Sequence, residues 1–202
     1  MIELLVVIGV IAVLAGGIGM TLRSNNHNTG LQAAQSTIAG MVRLARAQAA
    51  LKQQNVGIFV NMKTTNLDCY LRQLVFAVDT SAAQNGTSWT LLDGGTILPQ
   101  GIYVVPKTLP AGAPSALKLS TALSSSTVNL AVNSATSEAY SYVYIKPLGA
   151  PSIAGQIVLS TATLKTDTGT PVLTFDNANN VRGLTISSYG IATLINESTG
   201  FP

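Results

Sequence analysis

Apolar residues run from Leu4 to Leu22 (LLVVIGVIAVLAGGIGMTL), 19 positions without a charge. Wound as an α-helix at 1.5 Å per residue, that run spans about 28 Å, the thickness of a bilayer's hydrocarbon. It is longer and more uniformly apolar than the core of a cleavable signal. A membrane span is expected here, with a plain signal anchor as the alternative reading. Glu3 stands at the rim of the run, inside its first turn, where a carboxylate is costly and normally paired. A solvated interfacial glutamate is the other reading of that residue.

Ser24 to Gly30 (SNNHNTG) is polar and turn-like, and Thr29 with Gln32 fits a capping box for a second helical start. From Leu31 to about Gln54 the pattern is helical. Leu31, Ala34, Ile38, Met41 or Val42, Ala45 and Ala49 recur at steps of three and four. Gln32, Gln35, Arg43, Arg46 and Lys52 take the other positions. This amphipathic helix is expected to lay its apolar face on a head domain, with its basic residues solvated or facing another subunit.

From Val56 the period changes. VGIFVNM, LDCYLRQLVFAVD, SWTLL, GIYVVP, ALKLS, TVNLAV, SYVYIKP, GQIVLST, PVLTF and RGLTISSYGIATLIN read as short strands. Asn85-Gly86 and Asp93-Gly94 mark turns. No helical pattern alternates with the strands, so an antiparallel sandwich or meander is expected rather than a doubly wound sheet. The fold class is therefore α+β: a long N-terminal helix, hydrophobic in its first half and amphipathic in its second, packed on a mainly antiparallel two-sheet head. The expected division is 1–23 hydrophobic helix, 24–55 linker and amphipathic helix, and 56–202 β-rich head.

Composition narrows the function. Charged residues are 9% of the 202, well under the roughly 25% of an average soluble protein. The surface left by Ala, Ser, Thr, Asn and Gly is polar without being charged, which suits secreted proteins and packed assemblies. Net charge is +3 with no long basic run, so nucleic acid is an unlikely partner. The one cysteine, Cys69, forbids an intramolecular disulfide and a Cys-x-x-Cys-His haem site, and is expected to be small and buried. The one histidine, His27, lies in the polar patch after the apolar run, a poor place for a catalytic pocket. No catalytic residue, metal site or cofactor is expected.

The string Ile2-Glu3-Leu4-Leu5-Val6-Val7-Ile8, opening a hydrophobic helix near the N-terminus, resembles the start of mature type IV pilins and type II secretion pseudopilins. Family members usually carry Phe then Thr ahead of the position held by Met1. The resemblance therefore implies a mature chain that begins upstream, after a prepilin peptidase removes a basic leader. It also implies that Glu3 pairs with the free N-terminal amine of a neighbouring subunit or of its own chain. Both charges would lie in a low-dielectric core, where an unpaired carboxylate costs several kcal/mol. Leu4, Leu5, Val6, Val7, Ile8, Val10, Ile11, Val13 and Leu14 would then form the filament's core. Glycine costs about 1 kcal/mol against alanine in a helix. Gly16, Gly17 and Gly19 are accordingly expected to let the helix melt there on assembly, with close packing through small residues as the alternative.

The passage Met41–Val60 (MVRLARAQAALKQQNVGIFV) resembles the H-type minor pseudopilins and their FimT-like relatives. Three later pieces agree in order: Leu98-Pro99-Gln100-Gly101-Ile102, Tyr144-Ile145-Lys146-Pro147-Leu148-Gly149, and Ile186-Ser187-Ser188-Tyr189-Gly190. FimT-like DNA-uptake pilins carry basic residues just after that last glycine, whereas this chain continues Ile191-Ala192-Thr193. The DNA-uptake role loses its support, because such binding leans on several phosphate contacts.

The expected function is structural: a subunit held in the bacterial inner membrane by one span, then polymerised into an extracellular filament. Its expected partners are copies of itself in a helical homopolymer. The resemblance adds an inner-membrane assembly platform, an assembly ATPase and the prepilin peptidase. A minor pseudopilin or tip subunit that primes assembly and binds secreted cargo or DNA is the alternative. Asn85 and Asn196 stand in Asn-x-Ser/Thr patterns and are candidate glycosylation positions. Ser124–Thr127 reads as a solvated loop or an O-glycan carrier.

Overall fold

The computed structural model describes residues 28–108, 113–128, 130, 138–167 and 170–202. Residues 28–52 form one helix, α1. Its buried side chains are Leu31, Ala34, Gln35, Ile38, Ala39, Met41, Val42, Ala45 and Ala49, a stripe of period 3.6 along one face. The expected apolar stripe is buried in full. Gln35 departs from expectation, because it lies inside that stripe and is 2% exposed. Thr29 is already helical, so no helix start lies at the Thr29–Gln32 pair. The helix ends where Gln53 turns left-handed, at φ 52°, and its side-chain Nε2 donates to the Ala50 carbonyl at 2.6 Å.

Two antiparallel sheets follow. One has β1 (Val56–Asn61), β2 (Gln73–Asp79), β3 (Trp89–Leu91), β4 (Thr96–Ile97), β6 (Ser124–Val128) and β7 (Glu138–Ile145), in the order β3-β2-β1-β7-β6, with β4 also on β2. The other has β5 (Ile102–Val104), β8 (Gly155–Asp167), β9 (Thr170–Phe175), β10 (Val181–Ile186) and β11 (Ala192–Ile195), in the order β11-β10-β8-β5, with β9 also on β8. The helix stripe shares one core with inward residues of both sheets, among them Val56, Ile58, Phe76, Ile145, Val158 and Leu184. Burying each large aliphatic side chain contributes about 1.5–3 kcal/mol.

β1 is buried at every position, so alternation does not mark it. The second face of its sheet is closed by a smaller cluster of Phe59, Val75, Ala77, Trp89, Val128, Leu130 and Tyr140. Trp89 meets Phe59 edge-on at 5.0 Å between centroids, and its indole N–H donates to the Gly86 carbonyl at 2.8 Å. Gly57 leaves that space open: a Cβ there would lie 3.2 Å from the Trp89 ring.

Four further sequence expectations are corrected. Of LDCYLRQLVFAVD only Gln73–Asp79 is strand, since Leu71 is left-handed (φ 53°) and the preceding residues form turns. ALKLS is irregular. Its last residue and the next one hold the free part of β8 with side chains: Ser120 Oγ accepts from the Val158 N–H at 2.9 Å, and Thr121 Oγ1 from the Gln156 N–H at 3.0 Å. Ser124–Thr127 is part of β6 rather than a loop. Cys69 is only partly buried.

Candidate functional site

Three resemblance-bearing pieces, far apart in sequence, meet at the second half of α1. Lys146–Ala150 and Ser187–Ile191 form two turns, each ending on a glycine with positive φ, Gly149 at 88° and Gly190 at 71°. In the first turn Gly149 N–H donates to the Lys146 carbonyl at 2.8 Å; in the second Gly190 N–H donates to the Ser187 carbonyl at 2.8 Å. The turns stack. A Cβ on Gly190 would stand 2.0 Å from the Gly149 carbonyl oxygen, and one on Gly149 would stand 2.9 Å from Arg46 Nε. No side chain fits at Gly190, and the Arg46 side chain runs alongside both glycines, its guanidinium at Gly149 and its Cδ at Gly190.

Beside this junction lies an open groove of about 510 Å³. Arg43, Arg46, Ala47 and Ala50 form its helix wall, and Gly190, Ile191 and Ala192 form the other. Each turn carries a large apolar residue just before its glycine: Leu148 is 97% exposed and Tyr189 75% exposed. Among the described residues neither Arg43 nor Arg46 has an ion pair or side-chain hydrogen bond, and α1 contains no acid. The surface combines two unneutralised guanidinium groups with an exposed apolar rim, a composition suited to a protein contact. Arg43 and Arg46 are expected from sequence to face solvent or another subunit; the exposure of Leu148 and Tyr189 and the junction itself are not among the sequence expectations.

α1 is fastened to the second sheet by Gln35, whose Nε2 donates to the Gly183 and Ile195 carbonyls. Those two residues are register partners in β10 and β11, so one side chain ties the helix to both strands. Gly183 is needed there, since a Cβ would lie 2.0 Å from the Ile157 carbonyl oxygen.

A second polar centre orders the loop after β2. Asp79 is fully buried, and its carboxylate accepts from Asn55 Nδ2 at 3.0 Å, the Gly86 N–H at 2.8 Å, and the Ser81 N–H and hydroxyl. Burial alone would raise the Asp79 carboxyl, but these bonds from Ser81, Asn55 and Gly86 outweigh it and hold the group below its ordinary value. Asn85 sits in this loop, exposed, and its Oδ1 accepts from the Thr87 hydroxyl at 2.7 Å. Asn196, just past β11, is also exposed.

Glu3, Leu4, Leu5, Val6, Val7, Ile8, Val10, Ile11, Val13, Leu14, Gly16, Gly17, Gly19 and His27 lie outside the described residues. Among the described residues no helix is long and apolar enough to cross a membrane. None of the described His, Cys, Asp or Glu residues gather in threes as a metal site would need.

The described residues define an α+β head, a long helix laid on two antiparallel sheets. The chain is similar to the type IV minor pilin FimU of Pseudomonas aeruginosa in one crystal form, at 16% identity and TM-score 0.45, over 85% of this chain and 97% of that one. A second crystal form of FimU gives 16% and 0.44, over 91% and 96%. The minor pseudopilin EpsH from the Type 2 Secretion System of Vibrio cholerae gives 12% and 0.41, over 82% and 96%. Similarity of this degree assigns no function. No protein-family profile and no curated protein matches the sequence.

Proposed function

We propose that the chain is a structural subunit of an extracellular type IV pilus-like or pseudopilus filament that polymerises through its N-terminal hydrophobic helix. The observation that carries this reading is the string Ile2–Ile8, with one carboxylate at Glu3 opening a charge-free run to Leu22. Before assembly the run sits in the inner membrane. In the filament, neighbouring copies replace lipid. That transfer exchanges one apolar solvent for another, so helix packing and the pairing of Glu3 must supply the bias. Leu4 to Leu14 form the packed part, and Gly16, Gly17 and Gly19 let the chain extend. Residues 1–23 serve as filament core, 24–55 as the connection, and 56–202 as the outward head. An assembly ATPase, a membrane platform and a prepilin peptidase complete the machinery this reading requires.

A second reading, a minor or tip subunit present in few copies, is favoured by the four ordered sequence pieces shared with H-type minor pseudopilins. Electron microscopy of sheared surface filaments, with mass spectrometry of the intact subunit, separates the two. Filaments built of this chain select the main-subunit reading; traces among another pilin select the minor one. Absence from every surface filament sinks both. The intact mass also reveals upstream residues, N-terminal methylation and any glycan on Asn85 or Asn196.

A further inference from the structure

We propose that the groove between α1 and the Ser187–Ile191 turn receives the Leu92–Asp93 turn of a second copy of this chain, the next subunit along the filament. This rests on the filament reading above. The groove offers Arg43 and Arg46 unneutralised, with Leu148, Tyr189 and Ile191 exposed at its rim. The Leu92–Asp93 turn offers the complement: an exposed acid without an ion pair or side-chain hydrogen bond among the described residues, flanked by exposed Leu92 and Ile97. Asp68 and Glu197 are also exposed acids, but neither sits between exposed large aliphatic residues.

The two surfaces lie on opposite sides of β1 and β2 in one sheet. The Lys146–Ala150 turn follows Ile145 of β7, which pairs with Val56 of β1. The acid's turn joins β3 to β4, both on the outer edge of β2, and the Leu92 N–H donates to the Phe76 carbonyl of β2. Three strand spacings, from β3 across β2 and β1 to β7, separate the two by about 14 Å. A subunit cannot fill its own groove with this turn, and two different patches in contact make a heterologous, head-to-tail interface. Repeated with a rotation that does not close, such an interface builds a helical polymer. A single well-placed charge pair, supported by apolar contact around it, sets register in that polymer.

Filaments from cells expressing the full chain test the pairing. In a Cys69→Ala background, Ala47→Cys with Leu92→Cys is expected to give a ladder of disulfide-linked multimers from intact filaments, and either cysteine alone is not. Arg43→Glu and Asp93→Arg, each alone, are expected to lower the filament yield by about tenfold, and the two together to restore it. Arg43 is the site of choice because Arg46 also packs on the two glycines. Normal filaments with no ladder and no effect of charge reversal overturn the pairing and leave the filament reading standing. Loss in Arg43→Glu without rescue or ladder assigns the groove to a different acidic partner, and overturns it too. Absence of this chain from surface filaments removes the filament reading and this one with it.

Discussion

Gln35 Nε2 lies 2.7 Å from the Gly183 carbonyl oxygen, across 148 positions of sequence. It donates to the Ile195 carbonyl as well, at 2.8 Å, so α1 is registered against β10 and β11 by one amide. Gln35→Ala deletes both bonds and leaves two carbonyls without this donor. The expected cost is about 2–3 kcal/mol. Gln35→Glu sets a carboxylate against two carbonyl oxygens and is expected to cost more, least at acid pH where the group is protonated. Urea unfolding followed by the fluorescence of Trp89, the one tryptophan, measures both. A midpoint unmoved in Gln35→Ala contradicts the fastening.

Glycine positions give a graded test. Gly190→Ala drives a Cβ into the Gly149 carbonyl at 2.0 Å, on a backbone with φ 71°, and is expected to cost about 1–3 kcal/mol and loosen the turn beside the groove. Gly149→Ala meets only the Arg46 side chain, which can swing aside, so its cost should be the smaller of the two. Gly40→Ala is the opposite case. It sits exposed within α1 with nothing within 4 Å of the new Cβ, and is expected to stabilise by about 0.5–1 kcal/mol. Thermal unfolding of the three variants checks the order Gly40→Ala, wild type, Gly149→Ala, Gly190→Ala.

Asp79 makes stability fall in acid. Its folded carboxyl is held below the ordinary 3.8, so the ionised form contributes stability at every pH above that ordinary value. The contribution fades as pH drops through the lowered value. Asp79→Ala removes it and leaves the Asn55, Ser81 and Gly86 donors unmatched, at about 2–3 kcal/mol near neutrality. The gap between wild type and variant should hold steady from about pH 7 to pH 5 and narrow below about pH 4. A gap that widens in acid contradicts the assignment.

Much of this head was legible because its elements keep clean periods. The α1 stripe from Leu31 to Ala49 repeats every three or four residues, and each position expected to be apolar is buried. Gln35 was not legible: a polar residue beside Ala34 reads as surface until the strand carbonyls it serves are known. LDCYLRQ imitates a strand by alternation, yet Leu71 reaches the core from a left-handed turn, a choice that local pattern does not encode. ALKLS imitates one by composition, while Ser120 and Thr121 replace ladder bonds with hydroxyls. The junction of Arg46, Gly149 and Gly190 spans 144 positions, and only tertiary packing brings it together. The glycines were visible as motif ends; the contact between them was not.

Glu3 carries the most consequential prediction. Its carboxylate begins a run in which no other charge appears before Arg23. In lipid an isolated subunit can keep the group at the rim, hydrated or bonded to its own amine. In the proposed filament that hydration would be lost, and an unpaired carboxylate costs several kcal/mol, so a neighbour's amine would be the stabilising partner. On that proposal, removing the charge is expected to touch assembly rather than insertion. Glu3→Leu and Glu3→Ala are expected to fractionate with the inner membrane at wild-type levels while yielding few sheared filaments. Glu3→Asp, which keeps the charge on a shorter arm, should fall between. Mixed expression sharpens the test: a Glu3→Leu subunit still offers an amine to wild-type neighbours, so it should enter mixed filaments better than it forms its own. Full yields of filaments built from Glu3→Leu alone would show that the carboxylate takes no part in joining subunits.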